Sequence, residues 1–267
     1  MCKAIYEGKI SLSDSINQYI DLPDQTYYPT FERLATHTSG YRNYYFDWQM
    51  VGNFLHGEEN DYYNISTDEL SRQIDKHILK DKDYKFCYSN FGISVIGTAL
   101  ENIYGDDYTT IMNQYISSEL GLQHTKISEG VGDLEGYWHW EASDGYIPSG
   151  AIVSTITDMM NYAKLHMTEA LPYLSLSHQE YKEVNASTKQ YKQMGIRIDS
   201  VGLGWMIDKQ NHFIWHNGGT SNYNSYLAID KENQIAVVIL SNLSPDDRIP
   251  ATVMGVELMT DLQEYYR

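Results

Sequence analysis

Tyr88-Ser89-Asn90 and the segment His216-Asn217-Gly218-Gly219-Thr220 carry residue types that an acyl-transfer site needs. A phenol such as Tyr88 can take a proton during nucleophilic attack and return it to a leaving group. Its ordinary pKa of about 10 must then be lowered by a neighbouring cation. The carboxamide of Asn90 can hold a substrate carbonyl or a lysine, provided residue 90 lies in a loop and not in a helix. His216 offers a cation or hydrogen-bond donor to a substrate carboxylate or to developing charge. Gly218 and Gly219 let a strand backbone come close to a ligand, and the Gly219 N–H can serve as one oxyanion donor.

These are two walls of a serine-acylating site. The third wall would be a helix start of the form Ser-x-x-Lys, with the lysine one turn from the nucleophile. The residue three positions before each lysine in this chain is never Ser, Cys or Thr. Each wall also has a plain structural alternative. Tyr-x-Asn recurs at Tyr41 and Tyr62 in a chain with 24 tyrosines, and half-buried strand histidines are common. The neighbours favour chemistry: Phe91-Gly92 opens an amphipathic helix after Asn90, and paired glycines follow His216.

The elements that must position these residues can be read from composition and period. With 267 residues, 42% of them hydrophobic, the chain can bury one large core or two smaller ones. Its net charge of −17 argues against nucleic acid and anionic membrane as partners. No run of about 18 apolar residues could span a bilayer. Met1-Cys2-Lys3-Ala4-Ile5-Tyr6-Glu7-Gly8 lacks the apolar core and cleavage site of a signal peptide. Cys2 and Cys87 match no zinc pattern, and Cys87, between Phe86 and Tyr88, is expected to be a small buried hydrophobe. Nine scattered histidines give no metal site, and no cofactor is indicated.

Residues 2–7 read as helix stopped by Gly8, and a short helix is expected over Thr30–Ala35 before the polar turn His37-Thr38-Ser39-Gly40. Residues 41–64 show no clean period and are expected to be loop. Ser66 or Thr67 caps a helix running to about Leu79. Helical periods follow over Asn90–Tyr104, Asp107–Leu120 and Ser154–Thr168, with Gly130–Ser149 as loop. Trp138-His139-Trp140 and Glu141 in that loop could line a binding surface, but packing is the favoured reading. From Val201 the period becomes two, giving strands at Gly202–Ile207, Phe213–His216, Ser225–Ile229 and Ile235–Leu240, then a helix over Thr252–Tyr266. Helices, then an antiparallel sheet, then a helix make an α+β fold. Its mostly helical region is expected over 1–200, and its sheet and C-terminal helix over 201–267.

At this point the chain resembles the serine hydrolases related to class C β-lactamases and penicillin-binding proteins. Leu34-Ala35-Thr36-His37-Thr38-Ser39-Gly40 is similar to that family's "LLTHTSG", and Tyr88-Ser89-Asn90-Phe91-Gly92 to its "YSNxGY". Leu120-Gly121-Leu122-Gln123-His124-Thr125, Ser149-Gly150-Ala151-Ile152-Val153-Ser154-Thr155 and Gly202-Leu203-Gly204-Trp205 follow in the family's order. His216–Thr220 occupies its third motif. The resemblance implies a β-lactamase/transpeptidase-like fold in which Tyr88, Asn90, His216 and Gly219 are catalytic and Asn217, Gly218 and Thr220 bind substrate. The substrate would be a small molecule or peptide that donates an acyl group through an amide or ester bond.

Glu7-Gly8 resembles the end of the nucleophile helix. Counting back along it places the serine about ten residues before Met1, together with the family's first two strands. The chain as given is therefore expected to be an N-terminally truncated, inactive form. The alternative is a non-catalytic homologue that binds a peptide or peptidoglycan. Full-length members of the family are often exported or membrane-anchored. Histidine at position 216, where many members have lysine, tilts the reading from a dedicated β-lactamase towards an esterase or peptidase. Ser221-Asn222-Tyr223 departs from the family's Pro-Gly-Phe and alters the turn that would face substrate.

Overall fold

The computed structural model describes residues 1–128, 134–245 and 250–266. The chain divides into two compact units. One comprises Met1, Lys3–Gly121 and Thr125–Val153; the other comprises Cys2, Leu122–His124 and Ser154–Arg267.

The first unit is mainly helical. It holds α1 (Cys2–Tyr6), α2 (Phe31–Ala35), α3 (Trp48–His56), α4 (Thr67–Lys76), α5 (Asn90–Tyr104), α6 (Tyr108–Gln114), the strand β1 (Lys126–Ile127), α7 (Ile147–Gly150) and β2 (Ile152–Val153). Polar side chains fix where these helices begin. Thr30, Asp47, Ser66, Ser89 and Asp107 each accept a hydrogen bond from a first-turn amide of the helix that follows, which satisfies donors no helix can satisfy internally. Gly57 and Gly105 end α3 and α5 in the left-handed conformation that favours glycine. The centre of the unit is α5, whose Phe91, Val95, Ala99 and Leu100 are buried. It lies so close to α7 that a Cβ on Gly97 would sit 2.1 Å from Pro148 Cγ.

Several expectations need correction. Residues 41–64 are not all loop, because α3 occupies Trp48–His56. Its usual signal is inverted. Trp48 and Phe54 are each 79% exposed, while the buried residue is Asn53. The Asn53 amide donates to the carbonyls of Asn60, Asp61 and Tyr63, so a polar residue anchors this helix while Trp48, Phe54 and Leu55 face outward. The α-helical part of α6 stops at Gln114, and its last turn widens into a π-turn over Tyr115–Glu119. Within the expected loop at Gly130–Ser149, residues 130–133 lie outside the described residues, and Ile147 already starts α7.

The second unit contains α8 (Ile156–Thr168), α9 (Leu174–His178), β3 (Lys182–Glu183), α10 (Lys189–Gln193), β4 (Ser200–Val201), β5 (Met206–Asp208), β6 (Phe213–Gly219), β7 (Asn224–Asp230), β8 (Ile235–Ser241) and α11 (Ala251–Tyr266). Its sheet is antiparallel throughout, in the order β3-β4-β5-β6-β7-β8. Period two on β7 sends Leu227 and Ile229 into a cluster with Ala163 of α8. It sends Tyr226 to the other face, against Gly255 of α11. Because both faces of β7 are covered, its sequence reads as a nearly continuous apolar run.

Candidate active site

The expected site residues fall into two groups, one in each unit. In the first unit the anchor is His37, at the turn after α2. His37 is buried and sits at φ +56°, a left-handed conformation unusual for a residue with a side chain. From there it holds the backbone on both sides of Tyr88. Cys87 donates its N–H to the His37 carbonyl at 2.8 Å, and Ser89 donates its N–H to His37 Nδ1 at 3.2 Å. An acceptor Nδ1 places the neutral ring's proton on Nε2. The His37 ring also lies 4.5 Å from the Tyr88 ring. The sequence reads His37 as part of a simple polar turn, and its position three residues after Leu34 carries no signal of this contact.

Ser89 locks the next residue. Its Oγ accepts from Gly92 N at 2.8 Å, capping α5, and donates to the Arg42 carbonyl at 2.6 Å. Asn90 is therefore the first residue of a helix, contrary to the loop that its expected role required. It still presents its amide sideways: Nδ2 donates to the Tyr62 hydroxyl at 3.4 Å. Asn43 accepts from Asn90 N and, through its carbonyl, from Phe91 N. The two other Tyr-x-Asn triplets, at Tyr41 and Tyr62, thus supply the frame around the third.

Tyr88 retains 36% of its surface, yet desolvation, with a smaller contribution from Tyr62, pushes its phenol up to about 12. The neutral phenol is therefore favoured at pH 7, and Tyr88 in this chain is not poised as a base. Cys87 is exposed, in contrast to the buried hydrophobe expected. What Cys87 contributes to this turn is its backbone N–H, directed at the His37 carbonyl. In the segment Trp138-His139-Trp140, Trp140 is buried and His139 lies 3.2 Å from Glu58, so packing accounts for these two residues.

The second group lies at the end of β6. β5 pairs only with Phe213–Trp215, so it leaves the edge of His216–Gly219 uncovered, while β7 pairs along the other side to Gly219. Thr220 donates its N–H to Tyr223 across the hairpin. Alternation along the strand then turns the N–H groups of Asn217 and Gly219 to the uncovered edge. That is the direction an oxyanion donor or a partner for an extended substrate must face. A Cβ on Gly218 would lie 2.7 Å from Ser225 Oγ, so the cross-strand neighbour crowds this position whatever binds there. Thr220 Oγ1 is buried with no hydrogen-bond partner among the described residues.

Burial lowers the pKa of His216, which favours the neutral ring at pH 7 over the expected cation. Its Nδ1 lies 2.6 Å from the Asn217 carbonyl and must donate to it. Nε2 is then the acceptor nitrogen of the neutral ring. Among the described residues, no group of three or more His, Cys, Asp and Glu side chains could hold a metal ion.

The sequence model of the beta-lactamase family matches residues 3–253. The chain belongs to that family. It is 20% identical to Protein flp of Staphylococcus aureus (strain MW2) over 264 residues, covering 91% of this chain and 50% of that protein. The chain thus spans about half the length of the curated relatives of this name. It is 22% identical to the D-alanyl-D-alanine-carboxypeptidase/endopeptidase AmpH of Escherichia coli (strain K12), covering 98% of this chain and 72% of that protein. The octameric penicillin-binding protein homologue from Pyrococcus abyssi shares the fold, with a TM-score of 0.76 at 20% identity, covering 98% of this chain and 62% of that one. These likenesses establish the α+β fold, with its helical region, antiparallel sheet and C-terminal helix.

Proposed function

We propose that this chain supplies residues for serine-hydrolase acyl transfer on an amide or ester of peptide or β-lactam type. Tyr88 and Asn90 of the first unit are its proton-transfer group; His216 and Gly219, with the substrate-binding Asn217, Gly218 and Thr220, are the strand-edge group of the second unit. The observation that carries this reading is the double restraint on Tyr88. His37 fixes the backbone on both sides of it, and the N-terminus of α5 follows directly. A side chain held this firmly with a third of its surface still accessible suits a proton donor presented to a substrate.

In such a reaction a serine oxygen attacks the carbonyl, and its proton passes through the phenol to the departing nitrogen or oxygen. The Gly219 N–H, directed to the open strand edge, would hold the carbonyl oxygen as it gains charge. A phenol near 12 cannot accept the proton unless a cation lies beside it, and these 267 residues hold no Ser-x-x-Lys. By themselves they are therefore proposed to bind the acyl donor without reacting. The test is to incubate the 267-residue chain with fluorescent penicillin and with a fluorophosphonate probe and to measure the intact mass. No covalent adduct is expected. A stoichiometric acyl or phosphonyl adduct would show that another residue of this chain is the nucleophile.

A further inference from the structure

A recess in the first unit is lined by the segment before α2, by α2 itself and by the loop after α4. It encloses about 380 Å³, the scale of a small-molecule site, and every side chain lining it is polar or aromatic. Several of these side chains keep hydrogen-bonding capacity that the protein does not use. Arg33 is half-buried, and its Nη1 donates to the Tyr27 hydroxyl at 2.6 Å and to the Lys82 carbonyl at 3.1 Å, with Asp81 3.4 Å away. Among the described residues nothing accepts from its Nε or Nη2, since Asp83 stands 3.9 Å from Nη2. Tyr27 accepts from Arg33 and keeps its own O–H to donate; burial raises this phenol, so the proton stays on. Gln25 spends its Nε2 on the Asp75 carbonyl at 3.2 Å, and its Oε1 has no donor among the described residues. The amide of Asn17 and the second carboxylate oxygen of Asp81 are likewise unpaired among them.

The unused groups are of both kinds: donors on Arg33, Tyr27 and Asn17, acceptors on Gln25, Asn17 and Asp81. An anion brings acceptors alone. It would also meet Asp81 and Asp83, which flank Arg33 with side chains 77% and 82% exposed, in a chain of net charge −17. An apolar ligand would find no aliphatic wall and would strand every one of these polar groups. A hydroxyl both donates and accepts, and two hydroxyls on neighbouring carbons match the planar fork of a guanidinium or a carboxylate. We propose that this recess binds a neutral, hydroxyl-rich ligand of saccharide type, with Arg33 and Tyr27 as donors and Gln25 and Asp81 as acceptors. The Tyr27 ring adds apolar surface for the C–H groups of a sugar. None of Tyr88, Asn90 and His216–Thr220 lines the recess, so this ligand is independent of the acyl donor proposed above.

Ligand-observed NMR on the intact chain tests this with two neutral disaccharides, cellobiose and N,N′-diacetylchitobiose, and with the dianion succinate. At least one disaccharide should bind with a Kd of about 1 mM, and succinate at least about ten-fold more weakly. Asp81→Ala, at an exposed position, and Gln25→Ala should each weaken that disaccharide at least about five-fold, because one polar partner is then left unmatched. Both variants should keep the circular dichroism of the parent. Binding of neither disaccharide overturns the proposal. Disaccharide binding that both variants leave unchanged also overturns it, since the sugar then sits elsewhere. Succinate that binds the parent more tightly than either disaccharide, and tightens further in Asp81→Ala, would make the recess an anion site on Arg33 and overturn the saccharide assignment.

Discussion

Unit two contains a buried histidine pair that should make the protein sensitive to mild acid, and the size of the effect follows from the geometry. His166 of α8 and His178 of α9 are both buried, with His166 Nδ1 2.7 Å from His178 Nε2. His178 Nδ1 lies 3.3 Å from Glu169, which in turn is 2.6 Å from Lys231. The Lys231 hydrogen bond holds the Glu169 carboxyl below its usual range, so it is ionised and His178 must donate to it from Nδ1. His178 Nε2 is then an acceptor, and His166 donates from Nδ1. The remaining nitrogen, His166 Nε2, is a buried lone pair with no hydrogen-bond partner among the described residues. Tyr162 and Trp205 pack against this ring and offer it no countercharge.

Desolvation, with a smaller contribution from His178, lowers His166 to about 3, against 6.5 when the side chain is in water. The folded state therefore binds fewer protons than the unfolded state between those values. Stability from this group is complete above pH 6.5 and is lost as pH falls towards 3. At pH 5 the cost is about 2 kcal/mol from His166 alone, at 1.36 kcal/mol for each pH unit. His178 is also lowered by burial and adds with the same sign. Asp144, raised by burial to about 6 in the other unit, works in the opposite sense, since its protonation favours the folded state. The comparison must therefore be between variants. Urea unfolding of the parent and of His166→Phe, followed by tryptophan fluorescence from pH 7 to pH 4.5, should show a flatter pH dependence in the variant. The difference in slope should approach 1.4 kcal/mol per pH unit. Parallel profiles would refute the argument that His166 is kept neutral by burial.

Two further predictions concern packing and positioning. Gly255→Ala should destabilise the protein by about 1–3 kcal/mol, since the new Cβ would lie 2.0 Å from Tyr226 Cδ1 in a buried ring that has nowhere to go. Gly52→Ala, in a helix with nothing within 4 Å, should instead gain about 0.5–1 kcal/mol from helix propensity. Equal urea midpoints for the two variants would count against this account. His37→Ala should cost about 1–3 kcal/mol by leaving the buried Ser89 N–H without its acceptor. It should also speed hydrogen exchange at Ser89 more than at the centre of α5. Uniform acceleration across the unit would mean that His37 contributes only to general packing.

Much of this was legible in the sequence because it depends on local rules. Ser66 caps a helix through its own side chain, Gly105 ends one by tolerating positive φ, and the alternation of Phe213–His216 and Ile235–Leu240 marks strands wherever they pack. The α+β order and the family likeness follow from such signals taken in sequence. What failed was local structure held by distant or polar partners. α3 is anchored through the polar Asn53 and turns Trp48, Phe54 and Leu55 outward, the reverse of the burial an apolar pattern leads one to expect. The period places Asn90 at the start of a helix, as observed, but its contacts with Asn43 and Tyr62 are made across the fold and no motif encodes them.

The sequence by itself determined which residue types are available for acyl transfer and which are not. Tyr88, Asn90, His216 and Gly219 are present, and Ser-x-x-Lys does not occur. Only the tertiary structure decided their chemical state. Desolvation leaves Tyr88 as a phenol near 12 and His216 as a neutral ring donating from Nδ1, because the cost of charge depends on the surrounding atoms and not on neighbours along the chain. The structure likewise decided that His37, 51 positions before Tyr88 in the chain, holds the backbone around that tyrosine, a contact created by folding alone.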